Sequence, residues 1–506
     1  MTAVQRPSAR DFLAGFGVGL VLSPQAMAYA ELAGLPSRHG LFAAAVAPIG
    51  AVFFASSPYL QTGPVALTAL LTFGALGTLA APGSADYIRL AALLALVVGI
   101  ARIFVGMLKG GWISYLMSKP MLDGFIPAAA ILIISSQIPG AAGVLAPSGG
   151  VLARASWTLA HPGSWEAAAC VLTAVTVAVI YVGRRIHPLV PGVLIATVAG
   201  LTFSIVTGYT GSRVGDIPVG LPPLRLDFPW TSLPLLILPG FVIALVGFAE
   251  TASIARTYAT RERMAWSPDR EFISQGAANV AAGLFGGFPV EGSFSRSSLN
   301  YLSGARTRWS GLATGATVLV FLPFAQVLAP LPRAILSAIV IAAAAPLIRL
   351  RPLASLWSMS RPQAAVGGIT FVLTLWLAPH IEQAVVLGIL AAVSVHIWRE
   401  LKPGIDSWSD ARGVHLKPKG VLWFGSAAYL EQIAAERVAQ VPEAATLILH
   451  LGGLGRIDFT GALVLRELMD EVEASGLEVE LEDVPEHAER ILQGVLDWHP
   501  PGVADE

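Results

Sequence analysis

Long apolar segments recur along most of this chain and limit the folds open to it. Runs of about 20 mostly uncharged residues, enough to cross a ~30 Å hydrocarbon core as a helix, follow one another from near residue 11 to near residue 398. Over the whole chain 55% of residues are hydrophobic and 13% are charged, which excludes an ordinary soluble globular protein. The sequence therefore predicts an all-α polytopic membrane domain over residues 1–400.

The apolar runs predict about fourteen crossings, with boundaries soft by several residues. They lie near residues 11–34, 40–55, 62–80, 87–108, 112–137, 165–182, 189–208, 233–256, 271–287, 294–304, 309–328, 331–348, 364–378 and 381–398. Clustered basic residues such as Arg184 and Arg185 fall on one side, whereas the opposite loops carry acids such as Asp86. By the positive-inside rule the basic side is cytoplasmic, so both termini of this multi-pass inner (plasma) membrane protein are expected in the cytoplasm.

Two predicted spans are interrupted by polar or helix-breaking residues. The third begins Gln61-Thr62-Gly63-Pro64-Val65, and the tenth begins Val290-Glu291-Gly292-Ser293-Phe294-Ser295-Arg296. Non-helical backbone at membrane depth survives only where it lines a cavity or is buried in protein. Seven crossings separate the two, which reverses their direction, so they take mirrored positions in two inverted halves, about residues 11–208 and 233–398.

Converging half-helix N-termini at these two breaks would attract negative charge. Arg296 adds a permanent positive charge, which is tolerated at membrane depth where it faces a polar cavity or partner. The sequence therefore predicts an anion site. A second interpretation stays open, in which Arg296 lies one turn from a cytoplasmic surface and extends its side chain to water.

Residues of the first and tenth spans make the chain similar to a known family. The first span contains Ser23-Pro24-Gln25-Ala26-Met27-Ala28-Tyr29-Ala30 and is followed by Leu35-Pro36 and Gly40-Leu41-Phe42. Together with Ser293-Phe294-Ser295-Arg296-Ser297 and a C-terminal segment similar to a STAS domain, these stretches resemble the sulfate permease (SulP) family of anion transporters. The resemblance covers essentially the whole chain. It implies two inverted seven-helix repeats, divided into a core domain that carries the substrate and a gate domain against which it moves, and it suggests a homodimer.

The resemblance also implies where the substrate binds. The site would lie between the third and tenth spans and be closed by the first and eighth. By position, its substrate-binding residues are Gln25, Tyr29, Thr62, Gly63, Pro64, Val65, Phe294, Ser295 and Arg296. A structural interpretation is open for each, since Pro24 can simply kink a helix and Tyr29 can be a packing aromatic. The family handles sulfate, bicarbonate, chloride and dicarboxylates, and hydroxyl donors with one arginine favour a small oxyanion or short dicarboxylate such as fumarate.

Anion accumulation against a negative-inside potential needs compensating positive charge, so acids within the spans are candidate carriers of a coupling ion. Glu250 is expected in the inner half of the eighth span and Glu31 in the outer half of the first. Carboxyl groups inside spans often carry protons in transporters. In sodium-coupled relatives a hydroxyl follows the eighth-span acid by four residues, but here that position is Ile254, which favours a co-transported proton. Alternatively, Glu250 only pairs with Arg296 or another arginine.

Residues 401–506 differ sharply from the rest of the chain and predict a small cytoplasmic α/β domain. They contain 19 acidic and 8 basic residues, against 14 acidic and 24 basic residues in 1–400. Strands are predicted at 421–424, 446–451 and 477–481, and helices at 427–439, 459–474 and 485–496. Such an acidic domain suits dimerisation or an interaction with the protein's own basic loops.

One motif in this segment has a regulatory interpretation. Asp458-Phe459-Thr460-Gly461 starts a predicted helix, and it resembles the site at which a hydroxyl is phosphorylated in STAS domains of anti-sigma-factor antagonists. Thr460 matches that hydroxyl. Helix capping by Asp458 explains the motif equally well.

The remaining patterns argue against an enzyme and against a bound cofactor or metal. The chain has no His pair at metal-binding helical spacing, no nucleophile elbow and no Gly-rich phosphate loop with a lysine, and its one cysteine is Cys170. His39 and His380 fall in predicted loops, where we expect solvated side chains.

The expected partners are a small anion, a proton, the lipid bilayer and a second copy of the chain, with no nucleic acid. An uncoupled anion channel or a chloride/bicarbonate exchanger stays open, and a nucleobase permease is a third possibility that Arg296 and the STAS segment argue against.

Overall fold

The structure is a computed structural model that describes residues 6–115, 117–218, 220–441, 443 and 445–496. The chain divides into two compact units, residues 1–390 and 391–506. The division falls within one long helix, Ile381–Glu400, ten residues before the predicted domain boundary.

Sixteen α-helices lie between residues 9 and 400 of the described chain. They are α1 (Ala9–Leu32), α2 (Ser37–Val52), α3 (Ala66–Leu76), α4 (Ala85–Met107), α5 (Lys119–Ala141), α6 (Val151–Ala160), α7 (Ala167–Ile186), α8 (Gly192–Thr207), α9 (Leu233–Arg261), α10 (Pro268–Leu284), α11 (Phe294–Leu302), α12 (Trp309–Phe321), α13 (Arg333–Ala344), α14 (Leu350–Met359), α15 (Arg361–Trp376) and α16 (Ile381–Glu400). Two strands of two residues each precede two of the short helices: β1 (Thr62–Gly63) before α3 and β2 (Glu291–Gly292) before α11.

The helix order repeats after eight elements, so that α1–α8 correspond to α9–α16. Fourteen of these helices correspond to the predicted spans, and the short helices α6 and α14 are additional and occupy matching places in the two halves. Eight of the described helices are long and apolar enough to cross a membrane. In contrast, α3 has 11 residues and α11 has 9, so each reaches only about half of the ~30 Å core.

The helices of the first unit pack in two groups. One group contains α1, α2, α4, α9, α10 and α12, and the other contains α5, α7, α8, α13, α14 and α15. Glycine permits close crossings inside the first group: a Cβ on Gly40 would lie 1.9 Å from the Ala26 carbonyl oxygen, and one on Gly99 would lie 2.7 Å from the Val280 nitrogen. The two groups correspond to the expected core and gate domains.

The start of α1 is fixed by a capping interaction that extends to the second half of the chain. Asp11 Oδ2 accepts hydrogen bonds from the Ser8 nitrogen and hydroxyl at 2.8 and 2.7 Å. Its other oxygen accepts from the Arg306 and Thr307 nitrogens at 2.7 and 2.8 Å. A buried carboxylate with this many donors holds the first helix against the segment between α11 and α12.

The second unit is an α/β domain. Its elements are β3 (Ile405–Ser409), β4 (Val414–Pro418), β5 (Gly420–Leu422), α17 (Phe424–Gln440), β6 (Thr446–His450), β7 (Leu454–Ile457), α18 (Phe459–Ala474), β8 (Glu478–Glu482) and α19 (Glu486–Leu496). The main sheet has the order β3-β4-β6-β8, with β3 antiparallel to β4 and the remaining neighbours parallel, and β5 pairs with β7. One face of the sheet, including Leu416, Leu447 and Leu449, forms an apolar core with side chains of the three helices.

Two sequence predictions need correction. His39 is not a solvated loop residue, because α2 already begins at Ser37; it is fully buried, with Nδ1 2.6 Å from the Gly286 carbonyl oxygen. The sequence does not predict β3, β4 and β7 of the second unit, which are only four or five residues long. His380 lies in a loop, as predicted, because it precedes α16 outside a helix. It is partly exposed, and its Nδ1 lies 3.3 Å from Glu382 Oε1.

Candidate functional site

The two interrupted segments meet and pair with each other. β1 and β2 are antiparallel, with Thr62 opposite Gly292 and Gly63 opposite Glu291. The half-helices α3 and α11 start directly after them, so both N-termini begin at the same small ribbon. Unpaired backbone N–H groups at helix N-termini carry partial positive charge, and this arrangement doubles that charge at one place.

Gln61 fastens the ribbon to α11 and α12. Its main-chain nitrogen donates to Ser297 Oγ at 2.9 Å, and its carbonyl accepts from the Ser293 nitrogen at 3.0 Å. Its side-chain nitrogen donates to Ser310 Oγ at 3.1 Å, and its side-chain oxygen accepts from Thr314 Oγ1 at 2.9 Å. Every polar group of this buried glutamine is therefore satisfied, which fixes the position of the α3 start.

A second set of buried amides and hydroxyls holds the ribbon from the side of α9 and α10. Gln275 Nε2 donates to Thr62 Oγ1 at 2.8 Å. Asn279 bonds both main-chain groups of Val290, accepting from its nitrogen at 2.9 Å and donating to its oxygen at 2.8 Å. Thr251 Oγ1 accepts from the backbone of β2 at 3.1 Å. None of these three side chains is among the predicted site residues, although uncharged polar residues inside apolar spans were a usable signal.

Arg296 lies on the first turn of α11 and is 1% exposed. Its Nη1 donates to Gln25 Oε1 at 3.5 Å, while its Nε and Nη2 have no hydrogen-bond partner among the described residues. A Cβ added to Gly63 would lie 3.5 Å from Nη2, so the guanidinium lies against β1. This burial differs from the snorkelling interpretation, in which the side chain reaches water. Buried charged donors are normally paired, and two unpaired donors leave room for an anionic acceptor.

A cavity of about 290 Å³ opens in front of Arg296. On one side it is lined by α1 and α11, including Gln25, Phe294 and Ser295. On the other side lie α7, α8 and the connection between them, including Arg184. Phe294 is 56% exposed, so its ring stands at the cavity rather than in a packed core. The cavity thus lies at the boundary between the two helix groups, on the side that the charge pattern predicts to be cytoplasmic.

The other predicted binding residues lie beside this cavity or behind it. Tyr29 is 5% exposed and interacts electrostatically with Arg296, Arg184 and Glu250. The predicted residues of the third span are all buried: Thr62 and Gly63 form β1, and Pro64 and Val65 follow it. Val65 is the N-cap residue of α3.

The structure places the two predicted acids in different environments. Glu250 lies on α9 and interacts electrostatically with Arg296 and with Glu291. Glu31 lies at the end of α1, where Oε1 accepts from Ser37 Oγ at 2.8 Å and lies 3.6 Å from Arg333 Nε. Glu31 is therefore outside the set of residues around Arg296, in contact with the gate group through α13.

A buried ion pair behind the site was missed by the sequence analysis. Arg102 and Glu291 are both 0% exposed, and Arg102 Nη2 lies 3.9 Å from Glu291 Oε2. Arg102 also donates to the carbonyl oxygens of Ala244, Val290 and Ile243 at 3.0 to 3.2 Å. Its bonds connect α4, α9 and the approach to β2. An arginine deep inside the apolar fourth span, with no acid within ten residues of it in the sequence, was the signal that would have found it.

Two parts of the chain match known families. Residues 9–370 match the sulfate permease family, and residues 406–495 match the STAS domain. The chain belongs to the sulfate permease family. It is therefore a multi-pass membrane protein of an anion-transporter family with a C-terminal STAS domain, as the motifs of the first and tenth spans predicted.

Relatives and solved structures agree with this assignment. The chain is 29% identical over 513 residues to the chloroplastic sulfate transporter 4.1 of Arabidopsis thaliana, covering 93% of this chain and 74% of that protein. It is 34% identical over 407 residues to a probable sulfate transporter of Mycobacterium tuberculosis, covering 78% and 70%. The structure of murine Slc26a9 in the inward-facing state has a TM-score of 0.88 at 18% identity, covering 98% of this chain and 88% of that one.

A third comparison concerns the membrane domain alone. The transmembrane domain of the cyanobacterial bicarbonate transporter BicA has a TM-score of 0.65 at 24% identity, covering 76% of this chain and 97% of that one. These structures establish the fold: a helical membrane domain of two inverted repeats followed by a small α/β STAS domain.

Proposed function

We propose that this sulfate permease family member is a secondary active transporter that takes up a small oxyanion or dicarboxylate together with a proton by alternating access. One observation carries the proposal: Arg296 is buried beside two converging half-helix N-termini, and two of its donor atoms lack partners among the described residues. An anion at this point would accept from the guanidinium and from helix N–H groups. Sulfate, bicarbonate and fumarate are the substrates to test first, because relatives include sulfate transporters and a bicarbonate transporter.

In the proposed binding mode, the half-helices supply main-chain donors and the side chains define the shape of the site. Thr62, Gly63, Pro64 and Val65 form the α3 side, where Gly63 has no side chain to separate its backbone from Arg296. Phe294, Ser295 and Arg296 form the α11 side, and Gln25 and Tyr29 complete it from α1. Gln25 orients the guanidinium, since it accepts from Nη1 at 3.5 Å.

Proton coupling is proposed to follow from competition for Arg296. Glu250 interacts electrostatically with Arg296, so an ionised Glu250 and a bound anion compete for the same positive charge. When Glu250 takes up a proton, the charge of Arg296 becomes available to the anion, and the two ligands bind together. Glu31 is the second candidate carrier, because it connects α1 to Arg333 of the gate group at 3.6 Å.

The orientation and assembly complete the proposal. The cavity opens on the side of Arg184, which the positive-inside rule assigns to the cytoplasm. We therefore place both termini and the STAS domain in the cytoplasm of a plasma membrane protein, and we propose a homodimer. Thr460 is proposed as a regulatory phosphorylation site, since its side chain is exposed at the start of α18.

Transport by purified protein in proteoliposomes tests this function. Radiolabelled sulfate, bicarbonate, chloride, fumarate and succinate are offered with and without an inward proton gradient. We expect saturable uptake of at least one oxyanion or dicarboxylate that the gradient drives above equilibrium, with counterflow accelerated by substrate on the trans side. Non-saturating flux without counterflow would indicate a channel and refute the carrier mechanism.

Variants assign the roles of individual residues. Arg296→Ala should weaken apparent anion affinity at least tenfold, on the scale of one lost charged hydrogen bond of about 1.5–3 kcal/mol. Arg349→Ala, which removes an exposed arginine at the start of α14, is the matched control and should keep wild-type affinity. Unchanged affinity in Arg296→Ala would exclude Arg296 from the binding site.

The proton carrier is identified by a pair of matched variants. Glu250→Gln should keep anion binding and exchange but lose proton-driven accumulation, because the glutamine cannot ionise. Glu31→Gln removes the same charge at the gate contact. Loss of accumulation only in Glu31→Gln would move the carrier to α1, and accumulation that persists in both variants would refute both assignments.

A further inference from the structure

Two histidines of the STAS domain form a continuous polar chain with carboxylates at both ends. His415 Nδ1 lies 3.0 Å from His450 Nε2, and the two rings are nearly parallel, with 5.3 Å between centroids. At one end, His415 Nε2 lies 3.0 Å from Asp410 Oδ1. At the other end, His450 Nδ1 lies 3.3 Å from Glu482 Oε2 and 3.4 Å from Asp483 Oδ2. All four imidazole nitrogens therefore take part in polar contacts.

The number of polar contacts determines how many protons the two histidines and their carboxylates hold together. Two of the three links are hydrogen bonds, from His415 to Asp410 and between His415 and His450, and the third is the ion-pair contact of His450 with its carboxylates. Each link is favourable only with a hydrogen between its heavy atoms, because a nitrogen lone pair repels a carboxylate or a second lone pair. A neutral imidazole carries one N–H, so two neutral rings supply only two hydrogens. Asp410 supplies none, because the hydrogen bond from His415 lowers the pKa of its carboxyl. The third link is complete only when the pair binds one additional proton.

The surroundings of the pair favour a positive charge. Three carboxylates contact it, Asp410 from the β3–β4 turn, Glu482 from β8 and Asp483 directly after β8. A fourth, Glu480, lies on the same face of β8, two residues before Glu482. Arg412 is the cation that contacts these carboxylates among the described residues; it donates to Glu480 at 2.8 Å and to Glu482 at 2.7 Å and connects the turn to β8.

The remaining neighbours shield the pair from solvent and add one cation. Lys417 is the next cation on this face, two residues further along β4. Trp408 of β3 stacks on both rings, at 4.9 Å from His415 and 5.1 Å from His450. His415 is consequently only 3% exposed, so a proton on its ring is shielded from water.

We infer that His415 and His450 form a proton-binding site of the STAS domain, in which one bound proton fastens the β3–β4 hairpin to β6 and β8. The proton gained is a net positive charge shared by the two imidazoles; when it leaves, two acceptor atoms face each other in one link and that link opens. Histidine is the side chain suited to exchange of this proton between about pH 5 and 8. The site is separate from the transport residues and does not depend on the proposed coupling through Glu250.

The site can be followed in the full-length purified protein through Trp408, because a stacked imidazolium quenches indole fluorescence more strongly than a neutral imidazole. Between pH 5 and 8.5 we expect a fluorescence component that increases as the pair loses its proton. Trp408→Phe should remove this component, which assigns it among the twelve tryptophans of the chain. His450→Gln should remove its pH dependence, whereas His487→Gln, an exposed histidine of α19, should leave it unchanged.

A conservative variant tests the same site without removing a histidine. Asp410→Asn keeps the size of the side chain but loses its charge, so the midpoint of the fluorescence change should move to lower pH. Hydrogen exchange, corrected for intrinsic pH effects, should show the 403–418 segment opening more readily above the midpoint. The inference is overturned if the Trp408 component does not change with pH, or if neither His450→Gln nor Asp410→Asn alters its midpoint.

Discussion

Gly40→Ala tests whether the close crossing of α1 and α2 positions the binding residues of α1. A Cβ at residue 40 would lie 1.9 Å from the Ala26 carbonyl oxygen, 2.5 Å from the Ala26 carbonyl carbon and 3.0 Å from Ala30 Cβ. The first two are backbone atoms, which cannot rotate away as a flexible side chain can. Because unstrained contacts between such atoms begin near 3.5 Å, α1 and α2 must separate locally by roughly 1.5 Å.

The separation should affect both stability and transport. Overpacking a close crossing costs about 1–3 kcal/mol, and we expect the upper end of that range because two backbones must move. Gln25 precedes Ala26 directly, so its 3.5 Å contact with Arg296 should also be lost. A misplacement of about 1 Å in a binding group can reduce the rate roughly 100-fold. We therefore expect a lower melting temperature in detergent and at least a tenfold loss of transport in proteoliposomes.

Gly17→Ala is the matched control for this variant. Gly17 lies in the same helix α1, but a Cβ there would have nothing within 4 Å. Since alanine is favoured over glycine within helices by about 0.5–1 kcal/mol, this variant should be as stable as the wild type or slightly more stable, with unchanged transport. If Gly40→Ala and Gly17→Ala have the same melting temperature and the same transport rate, the close crossing does not position the site.

Two further predictions concern the buried ion pair and the STAS helix. Glu291→Gln leaves Arg102 buried without its carboxylate and should destabilise the protein by about 3–5 kcal/mol. Adding Arg102→Met should recover part of that loss in thermal unfolding. A wild-type melting temperature for Glu291→Gln alone would contradict this prediction. Asp458→Ala removes the N-cap bond to the Gly461 nitrogen at 2.7 Å and should cost about 1 kcal/mol. Thr460→Ala, two residues along, should leave unfolding unchanged, and a loss equal to that of Asp458→Ala would show that Thr460 is structural.

Local sequence patterns were sufficient for the architecture. Apolar runs located the spans, and the odd offset between the two broken spans indicated inverted halves. In the STAS domain the helix over residues 459–474 was predicted with its observed bounds, because Asp458 marks its start. These features depend on residues close together in the chain, where the spacing of apolar residues and the capping residue restrict the secondary structure to few choices.

Contacts between distant parts of the chain were beyond local patterns. The pairing of β1 with β2 joins residues some 230 positions apart, and two-residue strands have no periodicity of their own. The burial of His39 depends on the carbonyl oxygen of Gly286, 247 residues away. Arg102 has no acid within ten residues in the sequence, and its carboxylate partner, at 3.9 Å, comes from Glu291, 189 positions further along the chain. Sequence reasoning therefore located the polar residues of the site better than it located their partners.

The residues that hold Arg296 and those that cover it belong to different helix groups. The ribbon is bonded through Gln61 to α12 and through Asn279 to α10, both in the first group. The opposite wall of the cavity, which includes Arg184, comes from α7, α8 and their connection in the second group. If the first group moves as one body against the second, the anion and its ligands travel together while only the opposite wall is exchanged. Substitutions in the ribbon, or in Gln61 and Asn279 that hold it, should then change anion affinity on both sides of the membrane. Substitutions in the α7–α8 wall should change the rate of anion exchange with little effect on affinity.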